Sequence, residues 1–154
     1  YIRFGRENVP VITDEDTPFE IGKAYCLRDG TDVAIIACGA MVYESLVAAE
    51  ELSKEGISAM VINNHTIKPL DKETILEAAK KTGIFVTVEE HQLAGGMGSA
   101  VLEYISQEYP IPVKMIGIND RFGESGSPED LQKAFGLTSE EIVRNVREAI
   151  NKAK

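Results

Sequence analysis

The sequence predicts an α/β fold, a three-layer α/β/α domain around a mostly parallel sheet of about five strands. Short apolar runs typical of buried strands alternate with amphipathic helical patterns along the chain. A length of 154 residues, with 44% hydrophobic and 27% charged residues, suits one globular domain. Strands that alternate with helices form right-handed crossovers, and these crossovers make the neighbouring strands parallel.

Four core strands are predicted, and a helix separates each from the next. The strands are expected at residues 32–38, 58–62, 84–88 and 113–118. The turn signal Asp29-Gly30 predicts a hairpin, so that residues 23–27 form an edge strand antiparallel to the first core strand.

Capping residues predict where several helices begin and end. Asp71 precedes the second helix and Gly83 ends it. Two further helices are expected at the end of the chain, one beginning at Ser127-Pro128 and the next after the Thr138-x-x-Glu141 capping box.

The first 18 residues do not follow this alternation. They combine prolines with an acidic run and have the composition of a linker or loop. We therefore divide the chain into residues 1–18, the end of a preceding unit, and residues 19–154, the α/β domain. The chain starts at Tyr1 and is expected to be a processed protein or a piece of a longer one.

The charge and cysteine content exclude some classes of function. Sixteen basic and 25 acidic residues give a net charge of −9, which opposes nucleic-acid binding. No apolar run is long enough to cross a membrane, so no membrane contact is expected and the protein is predicted to be cytoplasmic. Cys26 and Cys38 are predicted to be two buried thiols, since their spacing matches no metal or redox motif.

Polar residues gather at the carboxyl ends of the predicted strands, where open parallel sheets bind ligands. His65, Glu89, His91 and Arg121 all fall on this edge of the sheet. The edge is either a small-molecule site or a surface that contacts water or a partner. For His91, Glu89 is the better-placed carboxylate partner, but no nucleophile motif is nearby and two histidines do not make a metal site.

A glycine-rich loop lies between the third core strand and the following helix. Gly95, Gly96 and Gly98 could let backbone N–H groups hold an anion at the start of the helix. The pattern lacks the third glycine of a dinucleotide fingerprint and the lysine of a phosphate-binding loop. Close approach of the helix to the sheet explains the glycines at least as well, and we favour that interpretation.

Several runs of residues resemble the C-terminal domain of transketolase and its thiamine-diphosphate-dependent relatives. They are residues 63–71, 88–100, 119–126 and 135–138, in that order, and residues 1–10 resemble the end of the preceding pyrimidine-binding domain. The resemblance covers nearly the whole chain.

Three kinds of enzyme share this domain: transketolase, 1-deoxyxylulose-5-phosphate synthase and the beta subunit of 2-oxo-acid dehydrogenases. The Glu89-Glu90-His91 and Asp120-Arg121-Phe122 runs resemble the two sugar-phosphate enzymes, and residues 5–10 favour transketolase. Many transketolases are divided into N- and C-terminal polypeptides, so the chain is best identified as a transketolase C-terminal section. A small-anion-binding or assembly module is the alternative of another class.

The resemblance implies what the complete enzyme does. Thiamine diphosphate with Mg²⁺ or Ca²⁺, bound in other domains, would carry a two-carbon ketol unit between sugar phosphates in the pentose phosphate pathway. The expected partners are the remaining transketolase domains or an N-terminal subunit, in a homodimer or heterotetramer. This domain would serve assembly and bind no cofactor itself.

One residue of the chain is implied to touch substrate. Arg6 resembles the arginine that holds the substrate phosphate, a role that suits a planar and permanently charged guanidinium group. The alternative is that Arg6 anchors the linker through a surface ion pair. No catalytic residue is expected in this chain.

Overall fold

The architecture was analysed in a computed structural model that describes residues 1–2 and 8–153. Within these residues the chain forms five strands: β1 (Tyr25–Arg28), β2 (Val33–Ala37), β3 (Ala59–Asn63), β4 (Phe85–Gln92) and β5 (Val113–Ile118). It also forms five helices: α1 (Met41–Lys54), α2 (Lys72–Thr82), α3 (Met97–Glu108), α4 (Pro128–Phe135) and α5 (Ser139–Ala153). The predicted α/β fold is confirmed.

The sheet has the order β1-β3-β2-β4-β5, with β1 antiparallel and the other strands parallel. Every residue of the central strand β2 is buried, as its continuous apolar run predicts. One apolar cluster joins the sheet to α1 and α5, and a second joins the opposite face to α2 and α3. The sheet therefore lies between two helical layers.

The predicted hairpin is wrong, because the edge strand does not pair with the first core strand, β2. The edge strand β1 is antiparallel, but it pairs with β3, from Tyr25 opposite Asn63 to Arg28 opposite Val61. Residues 29–32 instead cross the start of β3, where the N–H groups of Thr31 and Asp32 both donate to the Ser58 carbonyl. Gly30 is needed for this crossing because a Cβ there would overlap the backbone of β3.

The predicted caps Asp71, Ser127 and Gly83 are present, and of the predicted capping box the Thr138 hydroxyl accepts a hydrogen bond from the Glu141 N–H at 3.4 Å. The Asp71 carboxylate accepts hydrogen bonds from the Thr74 N–H at 3.2 Å and from the Ala24 N–H at 2.9 Å, so it joins the start of α2 to the segment before β1. The Ser127 hydroxyl caps α4, and Gly83 ends α2 in the left-handed conformation that favours glycine.

The two cysteines differ from the expectation of two buried thiols. Cys38 is half-buried at the end of β2, whereas Cys26 is exposed. Cys26 lies on β1, the edge strand of the sheet, which has a neighbouring strand on one side only. No described helix has both the length and the apolar character needed to cross a membrane.

Candidate functional site

The loops after β2 and β4 leave the sheet in opposite directions. The chain passes from β2 into α1 on one face and from β4 into α3 on the other. In open α/β sheets, such a switch point forms a crevice where ligands usually bind. Here the crevice has a volume of about 460 Å³, and its lining includes Cys38, Gly39, Glu90, His91 and Gly95.

Glu89 closes one side of this crevice by capping α3. Its side chain is 1% exposed, and its carboxylate accepts hydrogen bonds from the N–H groups of Met97 at 2.6 Å and Gly98 at 2.8 Å. The first N–H groups of a helix have no partner within the helix and carry its positive end. Glu89 thus supplies, from within the chain, the negative charge that a bound anion would supply.

Two glycines make room for this carboxylate. A Cβ on Gly96 would overlap the Glu89 carboxylate, and a Cβ on Gly98 would lie 2.5 Å from the Thr87 hydroxyl oxygen and 3.2 Å from the Glu89 carboxylate. The glycines therefore allow α3 to approach β4 closely.

The remaining loop groups also bond within the chain. The Gly95 N–H donates to the Ser99 hydroxyl at 3.0 Å, and that hydroxyl donates to the Leu93 carbonyl at 2.7 Å. The structure thus brings Gly95, Gly96 and Gly98 together in one loop. The Glu89 carboxylate accepts the hydrogen bonds that an external anion would otherwise accept there.

His91 lines the crevice but does not pair with Glu89. β4 extends to Gln92, but its pairing with β5 is irregular between Val88 and Gln92, so regular alternation does not hold where Glu89 and His91 lie. The Nδ1 atom of His91 lies 3.0 Å from the Gln92 carbonyl, and both His91 and Glu90 are exposed. The expected Glu89–His91 pair is not formed.

Cys38 is the one thiol in the crevice. Burial, together with the nearby carboxylates of Glu89 and Glu90, raises its pKa to about 11. The thiolate is the nucleophilic form of cysteine. At neutral pH Cys38 is therefore protonated and poorly suited to nucleophilic chemistry.

The structure places His65 away from the crevice. Its ring stacks between Phe19, with centroids 4.6 Å apart, and Tyr25, at 5.5 Å. The Nδ1 atom lies 2.9 Å from the Thr66 hydroxyl, and the buried Nε2 atom has no hydrogen-bond partner within the described part of the chain. Because β2 lies between β3 and β4, the two histidines do not meet.

Arg121 holds helix α4. Its guanidinium carbon lies 4.1 Å from the centre of the Phe135 ring, and its Nη1 donates to the Ala134 carbonyl at 3.2 Å. It also forms an ion pair with Glu124. The Arg121 contacts within the described residues are therefore with the loop and helix that follow it.

The matching sequence family is described as "Transketolase, C-terminal domain", and its model matches residues 22–142. The chain belongs to this family. The transketolase C-terminal domain seen here is 47% identical, over 96% of the chain, to the 6-deoxy-6-sulfo-D-fructose transketolase subunit SqwH of Clostridium sp. (strain MSTE9). The chain spans 46% of that relative.

Two other matches cover nearly the whole domain. It is 46% identical over 96% of its length to the 1-deoxy-D-xylulose-5-phosphate synthase of Trichormus variabilis (strain ATCC 29413 / PCC 7937), of which it spans 24%. It also matches a structure described as "Split gene transketolase, inactive beta4 tetramer", with a TM-score of 0.93 and 44% identity. That match covers 97% of this chain and 49% of the other.

The described residues of this transketolase C-terminal domain do not fit thiamine diphosphate and its metal ion. They contain no group of three or more His, Cys, Asp or Glu side chains that could hold a metal ion. The α3 N–H groups that could bind a phosphate are bonded to Glu89. Arg6 lies outside the described residues.

Sequence reasoning missed the capping role of Glu89 and the environment of Asn64. Neither polar atom of the fully buried Asn64 side chain has a hydrogen-bond partner among the described residues. The capping role of Glu89 could have been predicted from the sequence. A carboxylate at the end of a strand precedes a helix start that has glycines and no capping side chain of its own. No sequence pattern marks the burial of Asn64.

Proposed function

We propose that this domain is the C-terminal part of a transketolase divided between two polypeptides. The complete enzyme would transfer a two-carbon ketol unit between sugar phosphates, with thiamine diphosphate and Mg²⁺ or Ca²⁺ bound by its other domains. The observation that carries the proposal is the 47% identity, over 96% of the chain, to a transketolase subunit. The TM-score of 0.93 to a split-gene transketolase supports the same division.

The geometry of the crevice supports a role in assembly for this domain. Glu89 occupies the helix N–H groups, and Cys38 is held in its protonated form. Neither feature offers a nucleophile or a phosphate site. We therefore place the chemistry in other domains, and we expect the isolated chain to bind no thiamine diphosphate.

Residues 1–18 are proposed to be the end of the preceding pyrimidine-binding domain and the linker, and Arg6 to be a substrate-phosphate ligand. In the assembled enzyme, Arg6→Ala should raise KM for phosphorylated substrates by the equivalent of about 1.5–3 kcal/mol, the range for a hydrogen bond to a charged group. An unchanged KM would assign Arg6 to the linker alone.

The partner is proposed to be either the remaining transketolase domains, in a homodimer, or an N-terminal transketolase subunit, in a heterotetramer. One relative is described as a subunit, and one solved structure as a tetramer, which supports association with further chains. A cytoplasmic enzyme of the pentose phosphate pathway fits this proposal, as do the free thiols, which are typical of reducing compartments.

A second candidate is the C-terminal domain of a 1-deoxyxylulose-5-phosphate synthase, favoured by the 46% identity over 96% of the chain to such an enzyme. The two candidates separate in one experiment. The chain, with the sequence that precedes it, is co-expressed with its complementary polypeptide and assayed with sugar phosphates. Ketol transfer from a phosphorylated ketose to an aldose supports transketolase, whereas formation of 1-deoxyxylulose 5-phosphate supports the synthase.

Two other results would overturn both candidates. Oxidative decarboxylation of a 2-oxo acid, with no reaction of any sugar phosphate, would identify the beta subunit of a dehydrogenase. Micromolar binding of phosphate or a nucleotide to the isolated chain by calorimetry, with no activity after assembly, would identify a small-anion-binding module.

A further inference from the structure

A groove lies between helix α4 and the start of α1. Its volume is about 1130 Å³. Apolar side chains from four parts of the chain form its floor: Val9, Tyr43, Ile118, Leu131, Phe135 and Leu137. We call this surface the acidic groove, because its rim carries Glu44, Glu90, Glu124 and Glu129.

Helix α4 leaves its apolar face incompletely covered. None of the eight described residues of α4 is buried, and Leu131 and Phe135 on its groove side are only half-buried. On the opposite wall Tyr43 remains 39% exposed, and Val9 is 63% exposed. Covering these side chains would remove apolar surface from water and stabilise a complex.

The charged residues that line the groove indicate which kind of ligand it would bind. Among the described residues that line the groove, four are glutamates and none is lysine or arginine. Glu44 is bonded to the Ser139 N–H and Glu124 to Arg121. Glu90 and Glu129 form no ion pair with another described residue.

We propose that the acidic groove binds a basic, amphipathic segment of another polypeptide. Apolar side chains of the segment would cover Leu131, Phe135 and Tyr43, and its lysines or arginines would face Glu90 and Glu129. With a net charge of −9, a second copy of this chain is attracted to these glutamates less than a basic segment is. Phosphate ligands and nucleic acids are disfavoured for the same reason.

The inference goes beyond the proposed function and does not depend on enzyme activity, so it is tested on the chain alone. The probe is a short helical peptide of leucine and arginine, with leucines at helical spacing. Its counterpart has glutamate at every arginine position. Both are titrated into isotope-labelled protein, and amide chemical shifts are followed.

The arginine peptide is expected to shift amide signals of α4 and of the first turn of α1, and the glutamate peptide to leave them unchanged. Glu90→Gln combined with Glu129→Gln should weaken binding about twofold to thirtyfold, since each of the two exposed charges contributes about 0.2–1 kcal/mol.

The matched control is Glu77→Gln combined with Glu103→Gln. These glutamates are exposed on α2 and α3, on the other face of the sheet, and the control changes the net charge by the same amount. It should bind the arginine peptide as the wild type does.

Three results would overturn the proposal. They are the absence of binding to the wild type, equal weakening in the control, and chemical-shift changes that map outside the groove. Each would show that attraction to the acidic surface, if present, is not specific to the acidic groove.

Discussion

The carboxylate of Glu89 occupies the space that a side chain at Gly96 would need. This relationship explains why the loop before α3 is rich in glycine although no described residue forms an external phosphate site there. The same carboxylate accepts hydrogen bonds from Met97 and Gly98, so the strand end and the helix start are joined by one buried charge. The glycines and the glutamate therefore form one structural unit.

Glu89→Ala should reduce the free energy of unfolding by about 2–3 kcal/mol, because two buried N–H groups lose a charged acceptor. Urea unfolding measures this change. The matched control is Glu90→Ala, since Glu90 is exposed on the next residue of the same strand. The control should change stability by less than about 0.5 kcal/mol. Equal effects of the two variants would contradict the capping role.

Asp71→Asn should destabilise the domain in a pH-dependent way. Burial raises the pKa of Asp71, but hydrogen bonds from Ala24 and Thr74 outweigh it, and the pKa is lowered from 3.8 overall. A pKa that is lower in the folded state contributes stability above the unfolded value, and this contribution is lost as pH falls through the folded value. An asparagine amide has one acceptor oxygen where both carboxylate oxygens of Asp71 are used, so the variant should be less stable than wild type by about 1–2 kcal/mol at pH 7.

The difference between wild type and Asp71→Asn should shrink below pH 4, as the wild-type carboxylate becomes protonated. Urea unfolding at pH 7, 5 and 3.5 measures it. Thr17→Ala, which alters an exposed Asp14–Thr17 contact, serves as a control with little expected effect on global stability. A difference independent of pH would show that the Asp71 charge is not what stabilises this junction.

The two cysteines should react with a thiol reagent at different rates. Cys26 is exposed, whereas Cys38 is half-buried and has its pKa raised to about 11, so its thiolate is scarce at pH 8. We expect Cys38 to react at least about tenfold more slowly, with a rate that rises steeply up to pH 11. The variant Cys26→Ser should retain only the slow phase. A fast phase in that variant would contradict the protonated state of Cys38.

Arg121→Ala should loosen helix α4. The variant loses the contact with the Phe135 ring and the hydrogen bond to the Ala134 carbonyl, together about 1 kcal/mol at an exposed site. Faster amide hydrogen exchange is expected across α4, with little change in α1. Arg144→Ala removes an exposed arginine that pairs with Glu141 on α5 and serves as the control. Unchanged exchange in α4 would show that Arg121 does not hold the helix.

The sequence predicts the fold well because its signals are local. The apolar run of β2, the Asp71 and Ser127 caps and the glycine end of α2 each depend on a few neighbouring residues. The partner of β1 could not be predicted in this way, because pairing with β3 depends on how residues 29–32 cross another strand. The Asp29-Gly30 pair is compatible both with a tight turn and with a segment that crosses a neighbouring strand.

The contacts of the residues predicted at the strand-end edge could not be derived from the sequence. Periodicity places His65, Glu89, His91 and Arg121 near one edge, but it does not determine what each side chain touches. His65 turns to Phe19 and Tyr25, and Arg121 to Phe135. These contacts depend on segments distant in sequence, and only the three-dimensional structure reveals them.

The pairing of β1 with β3 has a consequence for the order in which the domain can assemble. Strands β2 to β5 and their connecting helices form a parallel sheet whose pairs do not involve β1. The edge strand can therefore dock last and detach first, carrying the preceding residues with it. In a chain joined to an upstream neighbour, a pull would first meet Ile12 on the core cluster and Phe19 on His65, and would then reach β1 through Asp71 and the antiparallel pair.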